Sequence, residues 1–359
     1  MYYDYIFSIS NTIIFFSESI FLFSLILIFN SKHLIKLHKY YNENQKIHFG
    51  FISKVGGLAF LFSLVFNLLL AEESPFFLSY AIMGSIPIII IGLLEDLFNN
   101  IKPRIRLFSI FLTSFILLKY PLMIFPIVNL PFLSFLFTAF PLIYFAFLIF
   151  SMTILANGTN MIDGTNGLML TTLFFISITL FAISLHLGNI DFVNFYSLII
   201  VAIVPLLLFN FPFQKIFSGD MGAYLLGLLI GFSVILLYGQ SYEQLTWEIP
   251  LILFYPVYEV LFTIIRRFYN RQKTTKADTS HLHQLIFFYY NKKLKNTKLA
   301  NNLVMPTLLP IIISPLIFFY FYDFALTIIE AIFALLFMIF LYQIYYDIFS
   351  KLSSLGNNE

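Results

Sequence analysis

Long apolar runs broken by short polar stretches make up most of this chain. Their lengths predict eleven membrane-spanning helices, near 11–29, 56–71, 77–94, 107–125, 131–150, 166–186, 195–212, 220–238, 249–265, 304–321 and 325–347. With the N-terminus outside, the segments 30–55, 95–106, 151–165, 213–219 and 266–303 face the cytoplasm, together with the C-terminal tail. Of the 20 Lys and Arg, all but Lys119 then lie on that side. The excess of positive charge on one face sets the orientation and supports an odd number of spans. The first run has no basic segment ahead of it and no small-residue cleavage site, so it reads as a retained helix. No linker divides the chain, and residues 1–359 read as one integral membrane domain. The expected fold class is an all-α polytopic membrane protein.

Composition sharpens this picture. The chain is 60% hydrophobic and 11% charged, against about 25% charged residues in soluble domains. It has no cysteine, which excludes disulfides and thiolate metal sites. No internal repeat marks an inverted-repeat transporter.

Five polar clusters gather on the inferred cytoplasmic side: KIHFGFISKVGG (46–57), GLLEDLFNNIKPRIR (92–106), NGTNMIDGTNG (157–167), SGDMGA (218–223) and RRFYNRQKTTKADTSHLHQ (266–284). Glu95 and Asp96 would sit at a helix C-terminus, where the dipole disfavours anions. They call for a nearby cation, either Arg104 and Arg106 or a metal. Asp163 and Asp220 stand where helices would begin, so each fits an ordinary N-cap. Thr165 or Asn166 would cap equally well. The same pair of helix starts, rich in Gly, Asp and Asn, also suits phosphate on backbone N–H groups and Mg²⁺ on oxygen ligands. His281 and His283 share a face only on an extended segment, and no third ligand at a suitable spacing completes a zinc site. With Arg266, Arg267 and Arg271 nearby they suit phosphate or sugar recognition, while the basic loop also suits anionic lipid headgroups. The stretch 279–290 reads as a short interfacial helix.

In order, spacing and sidedness these clusters resemble the bacterial polyprenyl-phosphate N-acetylhexosamine-1-phosphate transferases (glycosyltransferase family 4), nearer the WecA/TagO-like branch than the MraY branch. The matching segments are KIHFGFISKVGGLAF, the acidic pair in GLLEDLFNNIKPRIRL, the loop NGTNMIDGTNGL, GDMGAYLLGLLIG and the histidine motif ADTSHLHQL. The resemblance implies transfer of a sugar-1-phosphate from a UDP-N-acetyl sugar to undecaprenyl phosphate, with release of UMP, at the cytoplasmic face of the bacterial inner membrane. It implies Mg²⁺, with Mn²⁺ as an alternative ion, a lipid bilayer setting, a homodimer and no nucleic-acid partner. Carried over residue by residue, Asp220 and Asn160 would be metal ligands. Asn157, Asp163 and Asn166 would shape the nucleotide and diphosphate site. Glu95 and Asp96 would flank the lipid phosphate. Lys54, Arg104 and Arg106 would neutralise phosphate charge, and Arg266, His281 and His283 would face the sugar or diphosphate.

Four positions depart from the family pattern: Glu95 for Asp, Asn166 for Asp, Ala223 for Ser and Gln284 for His. The first leaves open which acid, Glu95 or Asp96, acts as a base. Two other classes fit part of the sequence. One is a multi-span transporter, which calls for polar groups at the membrane midplane. The other is an inactive lipid-binding paralogue.

Overall fold

The computed structural model describes residues 54–70, 75–128, 130–241, 246–271, 278–324 and 326–354, with Ile13, Ser17, Ile20 and Phe21. From Gly56 onward these form 14 helices and no strand. They are α1 (Gly56–Leu70), α2 (Leu78–Gly84), α3 (Ile86–Phe98), α4 (Pro103–Leu118), α5 (Pro131–Ala139), α6 (Pro141–Ile162), α7 (Leu168–His186), α8 (Ile190–Asn210), α9 (Gly219–Gln240), α10 (Glu248–Ile252), α11 (Phe254–Tyr269), α12 (Leu282–Leu294), α13 (Thr297–Phe321) and α14 (Ile328–Ser354). Among the described residues six helices are long and apolar enough to cross a membrane, or seven if the pair α2–α3, bent by 52°, counts as one span. The chain is a polytopic membrane protein. Most of the expected first span at 11–29 and of the loop 30–55, as well as Lys273 and Lys276, lie outside the described residues.

Several boundaries differ from the hydropathy reading. The expected span 131–150 is divided at Phe140, before Pro141, and the second piece runs on to Ile162. Most of the expected loop 151–165 is therefore helix, and Asn157 and Asn160 are helical residues. The expected span 249–265 breaks at Leu253. Much of the expected loop 266–303 is also helical, because α12 fills its middle and α13 starts at Thr297. A short helix does occupy much of 279–290, but it is α12, which runs from Leu282 to Leu294. Hydropathy misplaced these ends because it weighs apolarity, whereas a helix continues through polar residues until its backbone is capped or broken.

α9 is the central element, and its apolar window is wholly buried. In a bilayer, lipid tails are as apolar as the helices, so close backbone packing replaces water exclusion as the main source of association. α1 uses this at its start. Gly56 N–H donates to Phe217 O at 3.0 Å and Gly57 N–H to Ser218 O at 2.9 Å. A Cβ on Gly57 would lie 2.6 Å from Gly222 N, so only glycine lets α1 approach α9 this closely. Towards the other end of α9, Phe232 packs with Phe77, which also meets Phe192 and Phe195, at ring separations of 6.0, 5.0 and 5.0 Å. The end opposite this aromatic cluster collects the termini of α1, α3, α4, α6 and α9.

Candidate functional site

Asp96 lies in the last turn of α3, an unfavourable place for an anion judged from that helix alone. The structure supplies the reason. Its Oδ1 accepts from Asp220 N–H at 2.9 Å and its Oδ2 from Met221 N–H at 3.0 Å. Asp96 thus caps α9 from another helix and sits at that helix's positive end. Asp220, expected as an N-cap, lies instead in the first turn of α9, and Ser218 at the N-cap position makes no side-chain cap bond. Asp96 also receives Lys54 Nζ at 2.9 Å. Gly219 makes this cap possible: its φ is +72°, and a Cβ there would lie 2.5 Å from Asp96 Oδ2.

Asp220 is the hub. Arg106 donates to its Oδ2 at 2.7 Å, Asn160 Nδ2 to its Oδ1 at 3.2 Å, and Lys54 Nζ stands 3.9 Å from Oδ1. Arg106 also lies 3.7 Å from Glu95 Oε1, while Glu95 Oε2 accepts from Ile101 N–H at 2.8 Å. Asp163 follows α6 as its C-cap and lies near the Gly219 N–H. It is not the N-cap of α7, a place taken by Gly167. Burial pushes the Asp163 carboxyl well above the usual carboxylate range; Lys54 opposes this, and Asp220 and Asp96 add to it. Lys54, Glu95, Asp96, Arg106, Asn160, Asp163 and Asp220 therefore form one centre.

The remaining expected residues lie elsewhere. Asn157 is one turn back on α6 and donates to Thr153 O at 2.8 Å. Arg104 is exposed. Asn166 is fully buried. Its N–H donates to Asn301 Oδ1 at 2.8 Å and its Nδ2 to Asn302 Oδ1 at 2.7 Å, so it serves the loop's own structure.

Arg266, His281 and His283 form a second group. The two imidazoles stack with centroids 5.6 Å apart and planes 7° from parallel. This is reached with His281 extended as the N-cap of α12 and His283 in its first turn. His281 Nδ1 lies 3.2 Å from Glu259 Oε1, which also accepts from Leu282 N–H at 3.2 Å; Tyr342 donates to Glu259 Oε2 at 2.7 Å. Arg266 pairs with Asp278, and Arg267 Nε lies 3.3 Å from the same oxygen. Burial alone would raise the Asp278 carboxyl, but the Ser280 N–H, His281 and both arginines hold it below the usual range. His283 is buried, and that desolvation pushes its imidazole down to about 4. Its ring abuts the Asp163 loop, with Nε2 3.5 Å from where a Gly164 Cβ would stand. Sequence reasoning assigned no role to Glu259, Asp278 or Tyr342. Glu259 does carry a signal, as one of few charges within an apolar run.

Among the described residues no three His, Asp or Glu side chains converge as a ready metal cage. Mg²⁺ does not need one, since it is held by one or two carboxylates together with substrate phosphates. Asp163 and Asp220, with the amide of Asn160 beside them, supply hard oxygen donors of that kind.

A family model described as Glycosyl transferase family 4 matches residues 78–238. That range includes both acids of α3, the Asp163 loop and Asp220. The chain is 26% identical over 249 residues to the Bacillus subtilis "Probable undecaprenyl-phosphate N-acetylglucosaminyl 1-phosphate transferase", covering 69% of each chain. It is 25% identical over 243 residues to the Thermotoga maritima undecaprenyl-phosphate alpha-N-acetylglucosaminyl 1-phosphate transferase, covering 68% of this chain and 70% of that one. A shorter stretch of 72 residues is 42% identical to the phospho-N-acetylmuramoyl-pentapeptide-transferase of Leuconostoc mesenteroides, covering 20% and 22% of the two chains. These likenesses support placing the chain with the polyprenyl-phosphate sugar-1-phosphate transferases.

Proposed function

We propose that this protein transfers an N-acetylhexosamine-1-phosphate, with GlcNAc-1-phosphate the leading candidate, from a UDP-sugar to undecaprenyl phosphate and so starts a lipid-linked glycan. The observation that carries this reading is the meeting of Lys54 and Arg106 with Asp96, Asp220 and Glu95 where helix termini converge. The family-model match and the two relatives named for undecaprenyl-phosphate transfer support it. An oxygen of the lipid phosphate attacks the β-phosphorus of the UDP-sugar. The bond from that phosphorus to the bridging oxygen breaks, and UMP leaves with the oxygen. Two anions must meet, so charge neutralisation and alignment dominate the barrier.

Lys54 and Arg106 answer the first need, because both are already held at the centre by carboxylates and face the incoming phosphates. Asp96 is a positioning residue, since both of its oxygens are engaged by Lys54 and the α9 backbone. A phosphate monoester has its second pKa near ~6 and is mostly dianionic at neutral pH, so the attacking oxygen needs no strong base. Asp163 and Asp220 would hold Mg²⁺, with Asn160 beside them. The bound ion would supply charge stabilisation on the diphosphate and on departing UMP. Arg266, His281 and His283 would meet the sugar end across the Asp163 loop, where His283 adjoins Gly164.

The reading places the centre at the cytoplasmic face, with eleven spans, an outside N-terminus and a homodimer as its finer expectations. The native chain has no cysteine, which makes labelling clean. A membrane-impermeant maleimide added to intact cells is expected to label a His186→Cys variant and to spare Lys292→Cys; the reverse pattern would invert the orientation. The activity test uses purified protein, undecaprenyl phosphate, Mg²⁺ and a panel of UDP-N-acetyl sugars. UMP released only when lipid phosphate and Mg²⁺ are both present supports the reading and ranks the sugars. Folded protein that releases no UMP with any sugar would favour a binding-only role.

A further inference from the structure

Four asparagines outside the charged centre form a neutral network beside it. Asn210, at the end of α8, is 2% exposed. Its Oδ1 accepts from Gly167 N–H, and its Nδ2 donates to Ile216 O at 2.6 Å. Gly167 lies four residues after Asp163, and Ile216 lies four residues before Asp220. One side chain therefore ties together the two segments that carry the two carboxylates. A second tie runs parallel to it. Asn166 Nδ2 donates to Asn302 Oδ1 at 2.7 Å, and Asn302 Nδ2 donates to Pro212 O at 3.2 Å. Asn301, fully buried, anchors the arrangement to α13 by accepting from Asn166 N–H at 2.8 Å.

We propose that Asn210 and Asn302 are positioning residues that set the spacing of Asp163 and Asp220, and through it the affinity of the centre for a divalent cation. The inference rests on the metal-dependent reading above. The chemistry explains the residue type. Each bridge needs a donor and an acceptor at the same side-chain end, which a neutral amide provides and a carboxylate or hydrocarbon does not. The same chemistry suits Asn at residue 166. A carboxylate there would set its oxygen against the Asn302 carbonyl oxygen and lose the donated bond. The buried site has little water to replace a lost partner, so removing one end leaves Gly167 N–H and Ile216 O unpaired and free to separate. Residues that orient metal-binding carboxylates typically change metal affinity by ~10–100-fold when removed.

The test uses the full-length protein in detergent, with Mn²⁺ titrated in the absence of substrate and followed by electron paramagnetic resonance, and with the Mg²⁺ concentration for half-maximal UMP release measured in parallel. Asn210→Ala is expected to raise both values by at least ~10-fold and Asn302→Ala by ~3-fold, with the UDP-sugar KM at saturating Mg²⁺ within ~2-fold of wild type. If both variants keep the wild-type Mn²⁺ affinity and Mg²⁺ half-point, the inference is overturned, even if turnover falls. If Asn210→Ala does not fold, Asn302→Ala, at the less buried bridge, decides the question alone. A wild-type protein that neither binds Mn²⁺ nor releases UMP would overturn the functional reading and this inference with it. An active wild type with unshifted variants overturns the inference only.

Discussion

At the charged centre, Asp96 is held by Lys54 and by two backbone N–H groups of α9, and Gly219 leaves no room for a side chain beside it. At the histidine segment, one buried glutamate on α11 gathers His281, the start of α12 and Tyr342 of α14. The first is fixed by backbone geometry at crowded helix ends, and the second by side chains reaching across helices. A backbone-built site has no slack, so small steric changes should be severe. A side-chain-built site should lose alignment gradually, and its charge state should depend on pH.

The largest effect is expected at Asp220, which receives Arg106 and Asn160. Asp220→Asn should lower kcat/KM for the UDP-sugar by ~10³-fold while the protein still folds, as judged by size-exclusion profile and Tm. Next comes Gly219→Ala. The added methyl would meet Asp96 Oδ2 at 2.5 Å with the backbone at a φ of +72°. A loss of ~2 kcal/mol of stability and a ~10²-fold fall in turnover should follow. Wild-type behaviour in this variant would refute the backbone-built account of the centre.

Glu259→Ala should act more gently on chemistry, raising the UDP-sugar KM by ~10-fold with a smaller change in kcat. Glu259→Gln, which keeps the shape and an acceptor, should recover part of that loss. Equal losses in both variants would mean that charge, not alignment, is what Glu259 contributes. The smallest effect at neutral pH comes from His283. Its imidazole is pushed from 6.5 to about 4 by burial, with His281 lowering it further and Glu259 opposing. The neutral form is thus favoured in the folded state. The stability it contributes is present above pH ~6.5 and is lost as pH falls towards ~4, by about 3 kcal/mol. Thermal unfolding across that range should show the loss in wild type and a flatter profile in His283→Gln.

Much of this was legible in the sequence because charge is rare in an apolar chain. Lys54, Glu95, Asp96, Arg106, Asn160, Asp163 and Asp220 stood out as polar exceptions, and the structure brings them together. The reason for an acidic pair at a helix C-terminus was not legible. It requires knowing that the start of α9 lies against the end of α3, which no local pattern encodes. The asparagine network was hidden for the same reason. Asn210, Asn301 and Asn302 look like ordinary helix-end residues until their partners are known. Span ends were least legible, because the polar end of α6 reads as loop on a hydropathy scale while its backbone remains helical.

The most direct test of the central claim follows the β-phosphorus. UDP-GlcNAc labelled with ³²P at the β-position is incubated with wild-type protein, undecaprenyl phosphate and Mg²⁺, and the mixture is extracted with butanol. The account predicts label in the lipid phase only when lipid phosphate and Mg²⁺ are both present, unlabelled UMP in the aqueous phase, and neither with Asp220→Asn. Label that stays in the aqueous phase with every component supplied, or that enters lipid equally well with Asp220→Asn, would contradict it.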